Sequence, residues 1–162
     1  MRPRASGLVA AVLIGLMALR GTAHAFELMP AVDDPDGAGQ TLTVDHEAVT
    51  LSFVGASSGW SDEMGWDTGG AKGAFRCRDV APDFTTPLGR FDTRTELLLS
   101  LTIPDGGVWS TGPGERNVDG VAHARLSAIA PDTVLVEWED LPGDGDRDFN
   151  DCVVALTITP AR

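Results

Sequence analysis

The 162-residue sequence contains no tyrosine, and aromatic residues make up only 6% of it. Positive charge is scarce, with 12 Lys and Arg against 24 Asp and Glu, for a formal net charge of -12. That shortage excludes nucleic acid and anionic membrane surfaces as partners, because both are recognised through clustered Lys and Arg. No apolar run reaches the roughly 20 residues needed to span a bilayer. Sustained helical periodicity is missing after residue 25, and with it any βαβ pattern, which sets aside a nucleotide-binding α/β fold. What is present is 43% hydrophobic residues, too many for a disordered acidic tail. The length suits one domain with a modest core, whose partners would be cations, sugars or another protein.

Charge is unevenly placed along the chain. Residues 1–25 hold Arg2, Arg4 and Arg20 and no acid, so residues 26–162 carry -15. Arg2 and Arg4 precede the apolar stretch Gly7 to Leu19, and Ala23-His24-Ala25 places small residues where a signal peptidase reads them. The expectation is a secretory signal at residues 1–25, cleaved after Ala25, and a single domain over residues 26–162. Export would be to the periplasm or the medium. In that oxidising setting Cys77 and Cys152 can form a disulfide; two buried free thiols are the alternative, and spacing does not decide between them. A zinc site is disfavoured, since after residue 25 only His46 and His123 remain and no close Cys pair exists.

Short strand-like runs alternate with turns rich in Gly and Pro. Glu96 to Ile103 sets Leu97, Leu99, Leu101 and Ile103 on one face. Thr133 to Glu139 sets Val134, Val136 and Trp138 inward, and Cys152 to Thr159 does the same for Cys152, Val154, Leu156 and Ile158. Weaker strands are expected at Thr41 to His46, Ala48 to Val54, Ala74 to Asp79 and Val121 to Ile129. Seven or eight such strands predict an all-β, antiparallel β-sandwich or jelly-roll-like domain. Pro30 to Gln40 reads as a surface loop.

Glu137 to Asp151 (EWEDLPGDGDRDFND) packs seven carboxylates and one Asn into 15 positions between two apolar strands. In an extended strand, side chains two apart lie roughly 7 Å from each other, too far to share an ion. Pro142, Gly143 and Gly145 let the chain curl, so alternate acids can converge. Converging carboxylates repel unless a cation neutralises them, and the hard cation that takes 6–8 oxygens is Ca²⁺. The segment is no EF-hand: counted from Asp144, position 6 is Phe149 and position 12 is Ala155. A solvated acidic hairpin is the bland alternative.

Trp138-Glu139-Asp140-Leu141 followed by Gly145-Asp146-Arg147-Asp148-Phe149-Asn150-Asp151 resembles the signature of the domain of unknown function 4114. Thr111 to Gly114, Asn117-Val118-Asp119-Gly120 and His123-Ala124 are similar to a second family segment, with Val118 where Pro is usual. Ser61 to Trp66 is similar to a third, looser one. The resemblance spans roughly Val49 to Ile158. The family occurs in exported bacterial proteins, and its shared acids have been taken to suggest calcium binding or enzymic activity. Carried over residue by residue, the resemblance implies Glu139, Asp140, Asp146, Asp148 and Asp151 as cation ligands, with Asn117 and Asp119 from a neighbouring loop. Arg147 either pairs with a carboxylate or points to solvent, His123 hydrogen-bonds a ligand carboxylate or sits satisfied in the sheet, and Phe149 belongs to the core.

Other signals are discounted. Gly55-Ala56-Ser57-Ser58-Gly59 fits a nucleophile elbow, but that motif needs a following helix and an α/β sheet. Asp33, Asp34 and Asp36 read as a solvated loop. Trp60, Trp66 and Trp109 can stack on sugars, although burial of at least two is expected in so aromatic-poor a chain. The leading expectation is an exported, non-catalytic calcium-binding module whose partners are the ion and, in one version, a glycan or cell-surface protein. The rivals are a Ca²⁺-supported carbohydrate- or surface-binding module and a hydrolase using Glu139 and Asp146 as acid and base.

Overall fold

A computed structural model describes residues 26–30, 37–143 and 145–161. The signal-like segment, Asp33, Asp34, Asp36 and Asp144 lie outside the described residues. Twelve strands follow in order: β1 (Phe26–Met29), β2 (Thr41–Val44), β3 (Glu47–Gly55), β4 (Glu63–Asp67), β5 (Lys72–Arg76), β6 (Thr85–Phe91), β7 (Thr95–Glu96), β8 (Leu99–Thr102), β9 (Val108–Ser110), β10 (Ala124–Ala130), β11 (Thr133–Trp138) and β12 (Cys152–Pro160). Among the described residues, one 3₁₀ turn at Gly114–Arg116 interrupts them. Every pairing is antiparallel. The strands form a five-stranded sheet β10-β11-β12-β3-β6, a four-stranded sheet β5-β4-β8-β9 and a small sheet β1-β2-β7. The protein is an all-β sandwich.

Alternation builds the core. In β12, Cys152, Val154, Leu156 and Ile158 are all fully buried, and the facing β11 buries Val134, Val136 and Trp138 opposite them in register. Met64, Trp66, Leu99, Leu101 and Trp109 from the four-stranded sheet meet these residues in one continuous cluster. Each buried Val, Leu or Ile contributes about 1.5–3 kcal/mol of burial free energy. A Cys77–Cys152 disulfide, closing a separation of 75 residues, ties the chain just beyond β5 to the first residue of β12.

The strand expected over Glu96 to Ile103 is divided in two. Leu97, Leu99, Leu101 and Ile103 are all buried as the alternation requires. However, the Leu97 N–H bonds the Leu42 carbonyl of β2, whereas the Leu99 N–H turns to the Thr111 hydroxyl beyond β9. One period-2 pattern thus serves two sheets. β6 gave no strand signal because it contains Pro87 and Gly89, tolerated here because β6 is a sheet edge with a register shift against β3. Among the described residues, no helix is long and apolar enough to cross a membrane.

Candidate metal centre

The acidic segment leaves β11 at Trp138 and re-enters the sheet at Cys152, residues that pair with each other across the two strands. Sheet pairing continues one residue further on one side, where the Glu139 N–H donates to the His123 carbonyl at 3.0 Å. At the base of the loop, the Asp151 N–H donates to the Trp138 carbonyl at 3.1 Å, and the Asp140 N–H donates to Oδ2 of Asp151 at 2.8 Å. The acids are therefore anchored at the rim of the sandwich.

The loop does curl, and the backbone shows how. Gly143 and Gly145 have positive φ, as do Arg147 (53°) and Phe149 (54°). Left-handed backbone costs a side-chain-bearing residue roughly 1–2 kcal/mol, so two such residues in one loop need compensation from their surroundings. Phe149 has some: its ring is buried with Ala38 and Ala122, and the guanidinium groups of Arg125 and Arg147 lie 4.8 and 5.4 Å from its centroid. A Cβ at Gly145 would meet Oε1 of Glu139 at 2.5 Å, so a side chain there has to displace that carboxylate.

The curl gathers five predicted ligands into two overlapping triads. Carboxylate oxygens of Glu139, Asp146 and Asp148 lie within 4.8 Å of one another, and so do those of Glu139, Asp140 and Asp151. Opposite ligands on a Ca²⁺ ion with bonds of 2.3–2.6 Å are about 4.6–5.2 Å apart, so each triad has the span to grip one ion. Asp146 and Asp148 are exposed, whereas Glu139 and Asp140 are buried. Glu139 belongs to both triads. Its Oε1 accepts the Leu141 N–H at 3.2 Å, but its buried Oε2 has no hydrogen-bond partner.

Burial and crowding raise these acids. Burial foremost pushes Glu139 up to about 7, against the Leu141 N–H and with help from the Asp151 and Asp146 carboxylates. Asp151 is pushed up to about 6, again by burial first; the Asp140 N–H opposes, and Asp140, Asp148 and Asp146 add repulsion.

Asp119 belongs to neither triad, and Asn117 bonds within its own loop. The Asn117 amide oxygen accepts the Ser110 N–H at 2.8 Å and its Nδ2 donates to the Val121 carbonyl at 2.7 Å, so it staples its own loop. Asp119 accepts the Val121 N–H on Oδ1 at 3.1 Å and the Gly143 N–H on Oδ2 at 2.8 Å, bracing the acidic loop from beside it. Although burial works against it, the Gly143 N–H, His123 and the Val121 N–H hold Asp119 below the usual carboxylate range. His123 is fully buried and stacks on Trp109 with centroids 3.9 Å apart. It lies 3.0 Å from Asp119 Oδ2 through Nε2, and its Nδ1 is 3.1 Å from the Glu139 carbonyl.

Two participants were not recognised from sequence. Asp62, between β3 and β4, is fully buried and neither of its carboxylate oxygens has a hydrogen-bond partner. Burial pushes it up to about 6; the nearby Ser58 lowers it and the Asp140 carboxylate raises it. The Ser58 hydroxyl itself donates to Oδ2 of Asp140. The serine in the elbow-like motif thus holds a site carboxylate, and a strand rather than a helix follows it. Asp62 lay in the loosest of the three family-like segments, and only its placement in space distinguishes it from other acids. Trp66 and Trp109 are buried, while Trp60 is half-buried.

A comparison with curated proteins finds no match for the chain. Residues 109–159, from β9 through β12 and including the whole acidic loop, match the model of the family described as Domain of unknown function (DUF4114), so it is this segment that is similar to that family.

Proposed function

We propose that this is an exported, non-catalytic module that binds Ca²⁺ in the acidic loop between β11 and β12. The observation that carries the reading is Oε2 of Glu139, buried without a partner at the corner shared by two carboxylate triads. A buried orphan oxygen costs free energy that a cation would recover. All the side chains concerned offer oxygen, the donor set of a hard cation and not of zinc or copper. Glu139, Asp146 and Asp148 form the outer seat, where the exposed acids leave room for water. The bound ion would fix the strained loop against the sheet, which is a structural role. Carboxylates converging within 4.8 Å of one another fit this better than acid–base catalysis by Glu139 and Asp146, because the carboxyl pair of a glycoside hydrolase stands about 5–9.5 Å apart to flank the scissile bond. Export is supported by the signal-like residues 1–25 and by the disulfide.

Extracellular modules bind Ca²⁺ with dissociation constants of about 10⁻⁴–10⁻³ M. Thermal unfolding in EDTA and in millimolar Ca²⁺ tests the proposal. The melting temperature rises with Ca²⁺ by mass action, and Asp148→Ala removes most of the rise. Identical melting curves with and without Ca²⁺ refute it.

A further inference from the structure

The five described acids of the loop divide into two triads that share only Glu139. The inner triad, with Asp140 and Asp151, is the more buried of the two, and Asp62, from a distant segment, lies beside its Asp140 without belonging to the triad itself. Asp62 is fully buried, with both oxygens unpartnered, and it lies against Asp140 and Ser58. It is held there by the covalent framework. The Cys77 N–H donates to the Asp62 carbonyl at 2.9 Å, and Cys77 is bonded to Cys152, the residue next to Asp151. The disulfide thus pins together the two segments that carry the inner acids.

Building on the calcium reading above, we propose that the protein holds two divalent cations: an outer one on Glu139, Asp146 and Asp148, and an inner one on Asp62, Asp140 and Asp151, bridged by Glu139. Charge favours two ions over one. Once ionised, the six carboxylates carry -6, of which one Ca²⁺ leaves -4 and two leave -2, and repulsion is costly for the three that are buried, Asp62, Glu139 and Asp140. Geometry agrees, because Asp62, Glu139 and Asp140 are buried and Asp151 half-buried, so an ion there draws most of its ligands from the protein. Asp62 supplies two buried oxygens without a hydrogen-bond partner, and Glu139 Oε2 supplies a third. The competing account is a proton shared between Asp62 and Asp140 with no metal between them.

The test is the Ca²⁺ stoichiometry of the disulfide-bonded chain, measured by native mass spectrometry and calorimetric titration with Ca²⁺ alone. Two ions per chain are expected, falling to one in Asp62→Asn and to one in Asp148→Asn. Asp151→Asn, which keeps an acceptor for the Asp140 N–H, is the second inner variant should Asp62→Asn fail to fold. One ion per wild-type chain overturns the inner seat while leaving the calcium reading intact. Two ions in wild type and still two, with unchanged affinity, in a folded Asp62→Asn or Asp151→Asn also overturn it. No bound ion at all refutes both proposals.

Discussion

Asp140 and Asp151, eleven positions apart, are joined by a 2.8 Å hydrogen bond from the backbone N–H of the first to Oδ2 of the second. The same Asp151 side chain belongs to the inner triad with Glu139. A structural role and the proposed ligand role therefore meet in one carboxylate, and substitution can separate them. Asp151→Asn keeps an oxygen for the Asp140 N–H and removes a charge that burial already disfavours. Its melting temperature in EDTA should match or exceed wild type, while its response to Ca²⁺ falls. Asp151→Ala should also lose stability, by about 1–3 kcal/mol for the abandoned buried donor. Denaturant unfolding of the two variants with and without Ca²⁺ reads both effects.

The raised acids give a pH dependence with a definite sign. Glu139 sits at about 7 and Asp151 and Asp62 at about 6, each above its ordinary value. Between roughly pH 4 and 7 the folded chain therefore binds more protons than the unfolded one, and stability falls as pH rises through that window. In EDTA the melting temperature should drop across it and level off above about 7. Ca²⁺ binds the deprotonated acids, so the gap between the Ca²⁺ and EDTA curves should widen over the same window. A melting temperature in EDTA that climbs from pH 4 to 7 contradicts this assignment.

How much of this was readable in the residues follows from what each pattern reports. Period-2 alternation in β11 and β12 reports a buried face, and every expected inward residue there is buried. The same alternation in Glu96 to Ile103 reports burial too, but it is silent on which sheet the chain serves, and the strand splits at Leu97 and Leu98. The loop acids were visible because they are adjacent in sequence. Asp62 and Ser58 reach the site only through tertiary contact, Ser58 lying 82 positions from the Asp140 it bonds. Nothing local marks them. The Cys77–Cys152 pairing was undecidable for the same reason, since spacing does not fix proximity.

Gly145 tests whether the curl of the loop is needed for binding. With φ at +46° and Glu139 Oε1 2.5 Å from where a Cβ would stand, Gly145→Ala has to displace the shared carboxylate or unwind the turn. The change lies outside the sheets, so the far-ultraviolet circular dichroism of the folded protein should be preserved. Ca²⁺ affinity should fall at least tenfold, corresponding to about 1.4 kcal/mol of lost binding free energy. Calorimetric titration measures it, and wild-type affinity in this variant would mean that the loop geometry is immaterial.

The disulfide contributes twice. By loop entropy, a closed loop of this length stabilises the fold by about 4 kcal/mol. It also fixes Cys152, and with it Asp151, against the segment that holds Asp62. The double variant Cys77→Ala, Cys152→Ala should therefore lower the unfolding free energy by about 2–5 kcal/mol and weaken Ca²⁺ binding as well. Chemical denaturation gives the first effect and titration the second.

Asp119 decides between a ligand and a strut. Its carboxylate accepts N–H groups from Val121 and Gly143 and stands 3.0 Å from the buried Nε2 of His123. His123 in turn packs flat on Trp109, whose indole N–H donates to the Asp140 carbonyl at 3.0 Å. Removing the carboxylate leaves three polar groups unanswered, one of them on a fully buried ring, so Asp119→Ala should cost about 2–3 kcal/mol even in EDTA. Asp119→Asn keeps one oxygen, which can serve Gly143 and His123 together as Oδ2 does while leaving the Val121 N–H unanswered, so its cost should be smaller. The Ca²⁺ response separates the roles: a strut predicts that Asp119→Asn still gains melting temperature with Ca²⁺, whereas a direct ligand predicts a loss like that of Asp148→Ala. Since Asp119 lies outside both triads, the expected result is the strut.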